Sequence, residues 1–176
     1  DVQMYDVVRV SEKRLIGEVI ELRGGRASIQ VYEETAGIGP GEPVYPTGEP
    51  LSVELAPGLI EGIFDGIQRP LDDIYAIAGD RIPLGIDVPK LNREQLWEFV
   101  PTAQVGDFLF AGDILGTVRE TKAVLHKVMV PPGLSGTVAK IHSGPATIIE
   151  TIAVLKLADG TEQDVCMLQK WPVRRS

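Results

Sequence analysis

The chain is poor in the residues that build covalent or metal-held folds. It has one cysteine, Cys166, so no intramolecular disulfide can form. Its two histidines, His126 and His142, cannot join that cysteine in a closed Cys/His zinc site. Basic charge is also short. Lys and Arg number 17 against 25 Asp and Glu, a formal net charge of −8, which excludes a nucleic-acid reader built on phosphate neutralisation. No apolar run approaches the ~18 residues that suggest a membrane span. The opening Asp1-Val2-Gln3-Met4-Tyr5 lacks the basic flank and apolar stretch of a signal peptide. The expectation is a soluble, intracellular chain that reaches a membrane only through partners.

Catalytic signatures are missing as well. There is no Gly-x-x-x-x-Gly-Lys-Ser/Thr run, whose amides would wrap phosphates and whose lysine would meet their charge. Gly-x-Gly-x-x-Gly, Gly-x-Ser-x-Gly and His-Glu-x-x-His are absent too. Accordingly no catalytic, cofactor-binding or metal-binding residue is expected in these 176 residues.

What is present is a globular composition, 44% hydrophobic and 24% charged, with 19 Gly and 13 Pro spread along the chain as turn signals. The first third reads as short strands. Val7–Val10 is apolar and β-branched, and Ile16–Leu22 alternates except that Glu18 falls among the apolar set. Gly24-Gly25 turns the chain into Ala27–Tyr32, a β-hairpin pattern. Pro43 and Pro46 confine the strand between them to an edge, and Leu51–Leu55 alternates again.

At Pro70 the period changes. Leu71, Ile74, Tyr75 and Ala78 fall at i, i+3, i+4 and i+7, predicting a helix over 71–78 with those residues on its packed face. Asp72 and Asp73 suit its first turn and Gly79 its C-cap. Residues 80–101 read as a connector, with a short helix near Arg93–Phe99 capped by Asn92 or Asp87. Strands are expected again at 107–110, 114–118, 126–130, 136–141, 147–157 and 164–168.

Single residues carry little chemistry. Asp72 and Asp73 are adjacent on a helix, so their carboxylates diverge rather than share an ion or a proton. His126 sits in a strand, where a structural role is the commoner one, and Cys166 reads as a buried core thiol without a base to activate it. Trp97 and Trp171 suit core or seam packing as well as a partner contact. Arg174-Arg175 is too short for a nucleic-acid patch.

Two longer patterns say more. The first runs Tyr32-Glu33-Glu34-Thr35-Ala36-Gly37, Gly41-Glu42-Pro43-Val44, Thr47-Gly48-Glu49-Pro50-Leu51, Pro57-Gly58-Leu59 and Ile63-Phe64-Asp65-Gly66-Ile67-Gln68-Arg69-Pro70-Leu71. It resembles the N-terminal domain of the catalytic A subunit (alpha chain) of archaeal A-type/vacuolar-type rotary ATPases, with Ala56 standing where that family usually has glycine. The second runs Gly106-Asp107, Gly112-Asp113-Ile114-Leu115-Gly116, His126-Lys127-Val128-Met129-Val130-Pro131-Pro132-Gly133 and Gly136-Thr137-Val138. It is similar to the insertion of that family, its bulge or non-homologous region. Trp171-Pro172-Val173-Arg174-Arg175 resembles the junction with the nucleotide-binding domain.

The resemblance implies a mainly β fold. Residues 1–70 would form a small N-terminal β-barrel lacking its first strand, and 71–90 a helix and connector. Residues 91–168 would form a barrel-sandwich-hybrid-like domain, and 169–176 the start of the junction. It implies a piece of a longer subunit. The parent would be a membrane-associated rotary ATP synthase/ATPase that couples ATP synthesis or hydrolysis to proton or sodium translocation. ATP and Mg would bind in the absent domain and no cofactor in this piece. Partners would be B subunits in an alternating hexameric ring, peripheral-stalk (stator) subunits and, through the parent, the central rotor. The complex would lie peripherally on the cytoplasmic face of the cell membrane, without direct insertion. This piece would serve ring assembly and stator contact without being catalytic alone.

The second pattern also resembles a lipoyl or biotinyl carrier domain, two four-stranded halves with the modified lysine on a tight hairpin. Lys122 lies ten residues after Gly112, where that lysine would fall. The acidic residue that normally precedes it is Thr121 here, and residues 1–80 have no place in such a carrier. A stand-alone β interaction module is the remaining alternative.

Overall fold

The computed structural model describes residues 2–60 and 62–174. Among them are fourteen strands and one helix, so the fold is mainly β. Arg175 and the end of the 169–176 junction lie outside the described residues. The chain forms two compact units, and neither is continuous in sequence. One comprises 1–53, 63–90 and 170–176; the other comprises 54–62 and 91–169.

The first unit is built on an antiparallel sheet in the order β3-β2-β1-β4, from β1 (Asp6–Val10), β2 (Leu15–Arg23), β3 (Arg26–Val31) and β4 (Val44–Pro50). The sheet does not close among the described residues. Gly24 and Gly25 both have positive φ, 50° and 79°, which is the geometry a two-residue hairpin needs between Arg23 and its partner Arg26. The proline-bracketed strand lies at the sheet edge, where a missing N–H costs no ladder bond. The exception to alternation in β2 is real: all of Leu15–Val19 is buried, because both faces of this central stretch are covered. Glu18, 1% exposed, is therefore a core residue and not a slip in the pattern.

The helix α1 runs Leu71–Ala78, with Asp72 and Asp73 in its first turn and Gly79 at its C-cap, φ 70°. Pro70 stands one place earlier than a first-turn proline, as the extended N-cap. The expected packed face is only partly buried. Ile74 is enclosed, whereas Tyr75, on the same expected face, is 63% exposed.

The second unit contains two four-stranded antiparallel sheets, in the orders β13-β12-β10-β7 and β11-β6-β8-β9. Their strands are β6 (Trp97–Pro101), β7 (Phe108–Leu109), β8 (Ile114–Arg119), β9 (Leu125–Met129), β10 (Gly136–Ile141), β11 (Gly144–Ala146), β12 (Thr151–Lys156) and β13 (Glu162–Cys166). Phe99, Leu115, Val138, Ile152, Leu155 and Met167 are almost fully buried in it. A further pair, β5 (Ser52–Leu55) and β14 (Gln169–Pro172), forms a two-stranded sheet.

Three local expectations are corrected. No helix forms over 93–99. Asn92 Oδ1 accepts the N–H groups of Glu94 and Gln95, at 2.8 and 3.0 Å, as a cap would. Trp97–Pro101 is nevertheless a strand paired with β8 and β11, because burying Phe99 between strands overrides the weak local helix signal. The strand expected at 147–157 begins only at Thr151, as β12: residues 147–150 form a turn after β11, in which Glu150 accepts the Thr147 N–H. Cys166 is only half-buried, with its thiol donating to the Leu168 carbonyl at 3.3 Å.

Candidate functional site

Buried charge in this protein collects at carboxylates that hold loops, and each unit has its own. In the first unit Glu33, with its side chain 5% exposed, accepts the Ile16 N–H at 2.9 Å and the Gly85 N–H at 3.1 Å. Its Oε1 also meets an Arg69 guanidinium nitrogen at 2.9 Å. Arg69 Nε in turn donates to Asp65 Oδ2 at 2.7 Å, and Asp65 Oδ1 accepts the Arg69 and Ile67 N–H groups at 2.8 and 3.1 Å. The 65–69 turn is thus closed on itself and fastened to β2. Burial alone would raise the Asp65 pKa, but the Arg69 and Ile67 N–H groups and the Arg69 charge hold it below the usual range. Burial pulls the other way on Arg69, and its two carboxylates keep it protonated more firmly than usual.

Next to this network lies a cleft of about 330 Å³ lined by Tyr32, Leu51, Asp65, Gly66, Arg69 and Arg174. Its polar groups are already engaged. The Tyr32 hydroxyl donates to Glu18 Oε2 at 2.7 Å, and Arg174 stands 3.4 Å from the same oxygen and 5.7 Å over the Tyr5 ring. Burial, then the bond and the charge of Glu18, raise the Tyr32 pKa.

In the second unit Glu120, just past β8, has its side chain 2% exposed. Its Oε1 accepts the N–H groups of Gly58 and Ile60 at 2.8 and 3.0 Å, so one carboxylate gathers the 58–60 loop. Gly58 has φ 99°, and a Cβ there would stand 3.4 Å from the Trp97 indole. Glu120 Oε2 lies 3.6 Å from His126 Nδ1. In the same unit Arg93 Nη2 donates to both carboxylate oxygens of Glu54, at 2.7 Å to Oε1 and 2.6 Å to Oε2.

The residues singled out from sequence fall into place as follows. Asp72 and Asp73 project into solvent, and among the described residues no three His, Cys, Asp or Glu side chains gather as a metal ion would need. His126 is half-buried and belongs to the Glu120 contact; His142 Nε2 lies 3.0 Å from the Pro145 carbonyl. Trp97 packs by Gly58 in the second unit, and Trp171 is a surface residue of β14. Lys122 is exposed in the turn between β8 and β9, where Thr121 Oγ1 accepts the Ala123 and Val124 N–H groups. No helix among the described residues is long and apolar enough to cross a membrane. Sequence reasoning missed Glu33, Asp65, Arg69 and Glu120. The i, i+4 spacing of Asp65 and Arg69 was a visible signal; Glu120, 60 or more residues from the amides it binds, left none.

Comparison with known proteins bears on both units. Residues 1–48 match the family model described as the beta-barrel domain of the ATP synthase alpha/beta family. Residues 88–174 match that of the ATPsynthase alpha/beta subunit barrel-sandwich domain. The chain is 59% identical over 174 residues to a V-type ATP synthase alpha chain of Acetivibrio thermocellus, covering 99% of this chain and 30% of the relative. It is 57% identical over 176 residues to one of Thermoanaerobacter sp., covering 100% and 30%. A V-type ATP synthase alpha chain 1 of Clostridium tetani is 57% identical over 175 residues, at 99% and 29% coverage. The chain therefore spans about 30% of the length of the curated relatives it matches.

Proposed function

Because the chain belongs to the family of V-type ATP synthase alpha chains, we propose that it serves as the framework of such a subunit and not as its catalyst. The observation that carries this reading is identity of 57–59% sustained across 99–100% of the chain. That likeness covers both β units, so the framework as a whole is shared and not one motif. The charged groups that are buried support it too: Glu33, Arg69, Asp65 and Glu120 are spent on fastening loops.

On this reading the parent subunit turns over ATP, with Mg, in a domain outside these residues. It couples that turnover to proton or sodium translocation as a peripheral part of a complex on the cytoplasmic face of the membrane. Residues 1–70 take part in holding a ring of alternating subunits, this one and B. Residues 71–90 connect, 91–168 form the domain offered to peripheral-stalk subunits, and 169–176 begin the junction to the catalytic domain, through which the rotor is reached. A carrier role for Lys122 draws no support from the relatives, which are ATP synthase chains.

The test mixes the 176-residue chain with B subunits in gel filtration and titrates it separately with Mg-ATP. Co-elution with B, and no saturable nucleotide binding, are expected. Saturable Mg-dependent ATP binding with phosphate release overturns the framework reading.

A further inference from the structure

The sheet β11-β6-β8-β9 has one face too many with apolar side chains. Its inner face holds Phe99, Leu115, Val118 and Val128, all buried. With one face buried, strand alternation sends polar residues to the other. Instead Val100, Ile114, Leu125 and Met129 lie outward, between 38% and 53% exposed. The register gathers them. Ile114 stands opposite Met129, Arg119 opposite Leu125, and Thr117 between Val100 and Lys127. Arg119 and Lys127 are exposed on this same outer face. Neither makes an ion pair among the described residues, and Glu98 is the one acid in the four strands.

We propose that this face seats an acidic amphipathic helix of a partner protein. An apolar cluster rimmed by charge marks an interaction surface. The sign of the charge selects the partner. Asp and Glu outnumber Lys and Arg in the chain by 25 to 17, and this face inverts that balance. Arg119 and Lys127 can each meet a carboxylate while their stems extend the apolar cluster. The dimensions suit a helix, which lays its apolar stripe on a sheet face. Leu125 to Met129 is roughly 13 Å of strand, matched by about nine helical residues. An anionic lipid surface offers the same two chemistries, but its whole plane would repel a chain of net charge −8. A helix meets this face alone. The proposal rests on the framework reading, in which 91–168 are offered to peripheral-stalk subunits. It adds which side of that domain binds and what chemistry the partner brings.

The experiment follows backbone amides of the 176-residue chain by NMR as probes are added. The probes are a synthetic Glu/Leu amphipathic helical peptide, its Lys/Leu counterpart, and vesicles of phosphatidylserine and phosphatidylcholine. The Glu/Leu peptide is expected to shift amides of β6, β8 and β9 saturably, with affinity falling as salt rises. Arg119→Glu combined with Lys127→Glu is expected to bind it at least about tenfold more weakly. Leu125→Gln combined with Met129→Gln removes the apolar half and is expected to weaken it about as much. Undiminished affinity in the charge-reversed variant overturns the proposal. So do equal binding of both peptides and shifts confined to other strands, results that the native chain gives even if a variant does not fold. Vesicles that bind more tightly than the Glu/Leu peptide overturn it in favour of a membrane. Purified peripheral-stalk subunits form a separate arm. Their binding without shifts on this face overturns the helix site and leaves the framework reading standing. If the Glu/Leu peptide seats on the face and the stalk subunits do not bind, the stalk assignment falls and the site stands.

Discussion

Glu33 and Arg69 meet at 2.9 Å with little water access to either, the side chains being 5% and 12% exposed. Because Glu33 also accepts two backbone amides, from Ile16 and Gly85, the pair joins three stretches of the first unit at one point. Arg69→Met removes the cation but leaves Glu33 and Asp65 charged beside each other. The expected cost is roughly 2–4 kcal/mol, below the fully buried case because the guanidinium keeps some contact with water. Glu33→Gln, which keeps an acceptor for the amides, is expected to cost less. Urea midpoints of the two variants decide it; equal midpoints would mean that the charge pair contributes nothing beyond its hydrogen bonds.

Asp65 gives the same network a pH signature. Its carboxyl is held below the usual range in the fold despite burial, by the Arg69 and Ile67 N–H groups and the Arg69 charge. A depressed folded-state acid contributes stability that is fully present above the ordinary Asp value, about 3.9, and is lost as the pH falls through the lower folded value. Asp65→Asn should therefore be less stable than the native chain at pH 6 and should show a shallower loss between about pH 4 and 2. A native and a variant curve that stay parallel over that interval would remove Asp65 from the account.

Tyr32 provides the hydroxyl that Glu18 needs once buried. Tyr32→Phe deletes the 2.7 Å bond and leaves the carboxylate only the more distant Arg174, at 3.4 Å. A loss of about 1–2 kcal/mol is expected, the usual range for stripping a partner from a buried acceptor. Glu18→Gln in the same background should recover part of it, since the charge is then gone. Thermal unfolding of the single and double variants measures that coupling.

Much of the local structure was legible because it is written in local chemistry. The Gly24-Gly25 hairpin, the prolines of the edge strand, and α1 between Pro70 and Gly79 depend on residues a few positions apart. The resemblance to rotary ATPase A subunits was legible in the same way, from ordered Gly and Pro runs. What sequence hid is non-local. The burial of Glu18 depends on what covers both faces of β2, and the strand at Trp97–Pro101 on Phe99 finding its place between β8 and β11. The hold on the loop at Gly58 and Ile60 comes from a carboxylate 60 or more residues away, at Glu120. Period-3.6 spacing placed Ile74 and Tyr75 on a helix correctly but says nothing about whether a neighbour covers them, and only Ile74 is covered.

Two glycines of the Gly112-Asp113-Ile114-Leu115-Gly116 run should respond differently to alanine. At Gly116 a Cβ would lie 2.4 Å from the Phe99 ring and 2.6 Å from the Val100 carbonyl oxygen, and neither can retreat easily inside a paired strand. Gly116→Ala is therefore expected to cost about 1–3 kcal/mol or more through overpacking. At Gly112 nothing lies within 4 Å, but φ is 90°. Gly112→Ala is expected to cost roughly 1–2 kcal/mol through backbone strain alone. Denaturant curves rank them; a Gly112 variant as costly as Gly116 would show that the turn, and not the packing against Phe99, governs this run.

Lys122 offers the cleanest separation between a carrier and a framework. It is exposed in the β8–β9 turn, a geometry that a swinging-arm lysine would also need, so the fold alone does not decide. Chemistry does. A carrier domain is modified on that lysine in its native host and loses its function without it. A framework domain uses the position only as a solvated turn, whose shape comes from Thr121 Oγ1 and the Glu120 N–H to Val124 carbonyl bond. Lys122→Ala is thus expected to change stability by no more than about 0.5 kcal/mol and to leave association with B subunits intact. The intact mass of the protein from its native host is expected to show no lipoyl or biotinyl group on Lys122. A mass increment mapped to that residue would restore the carrier reading.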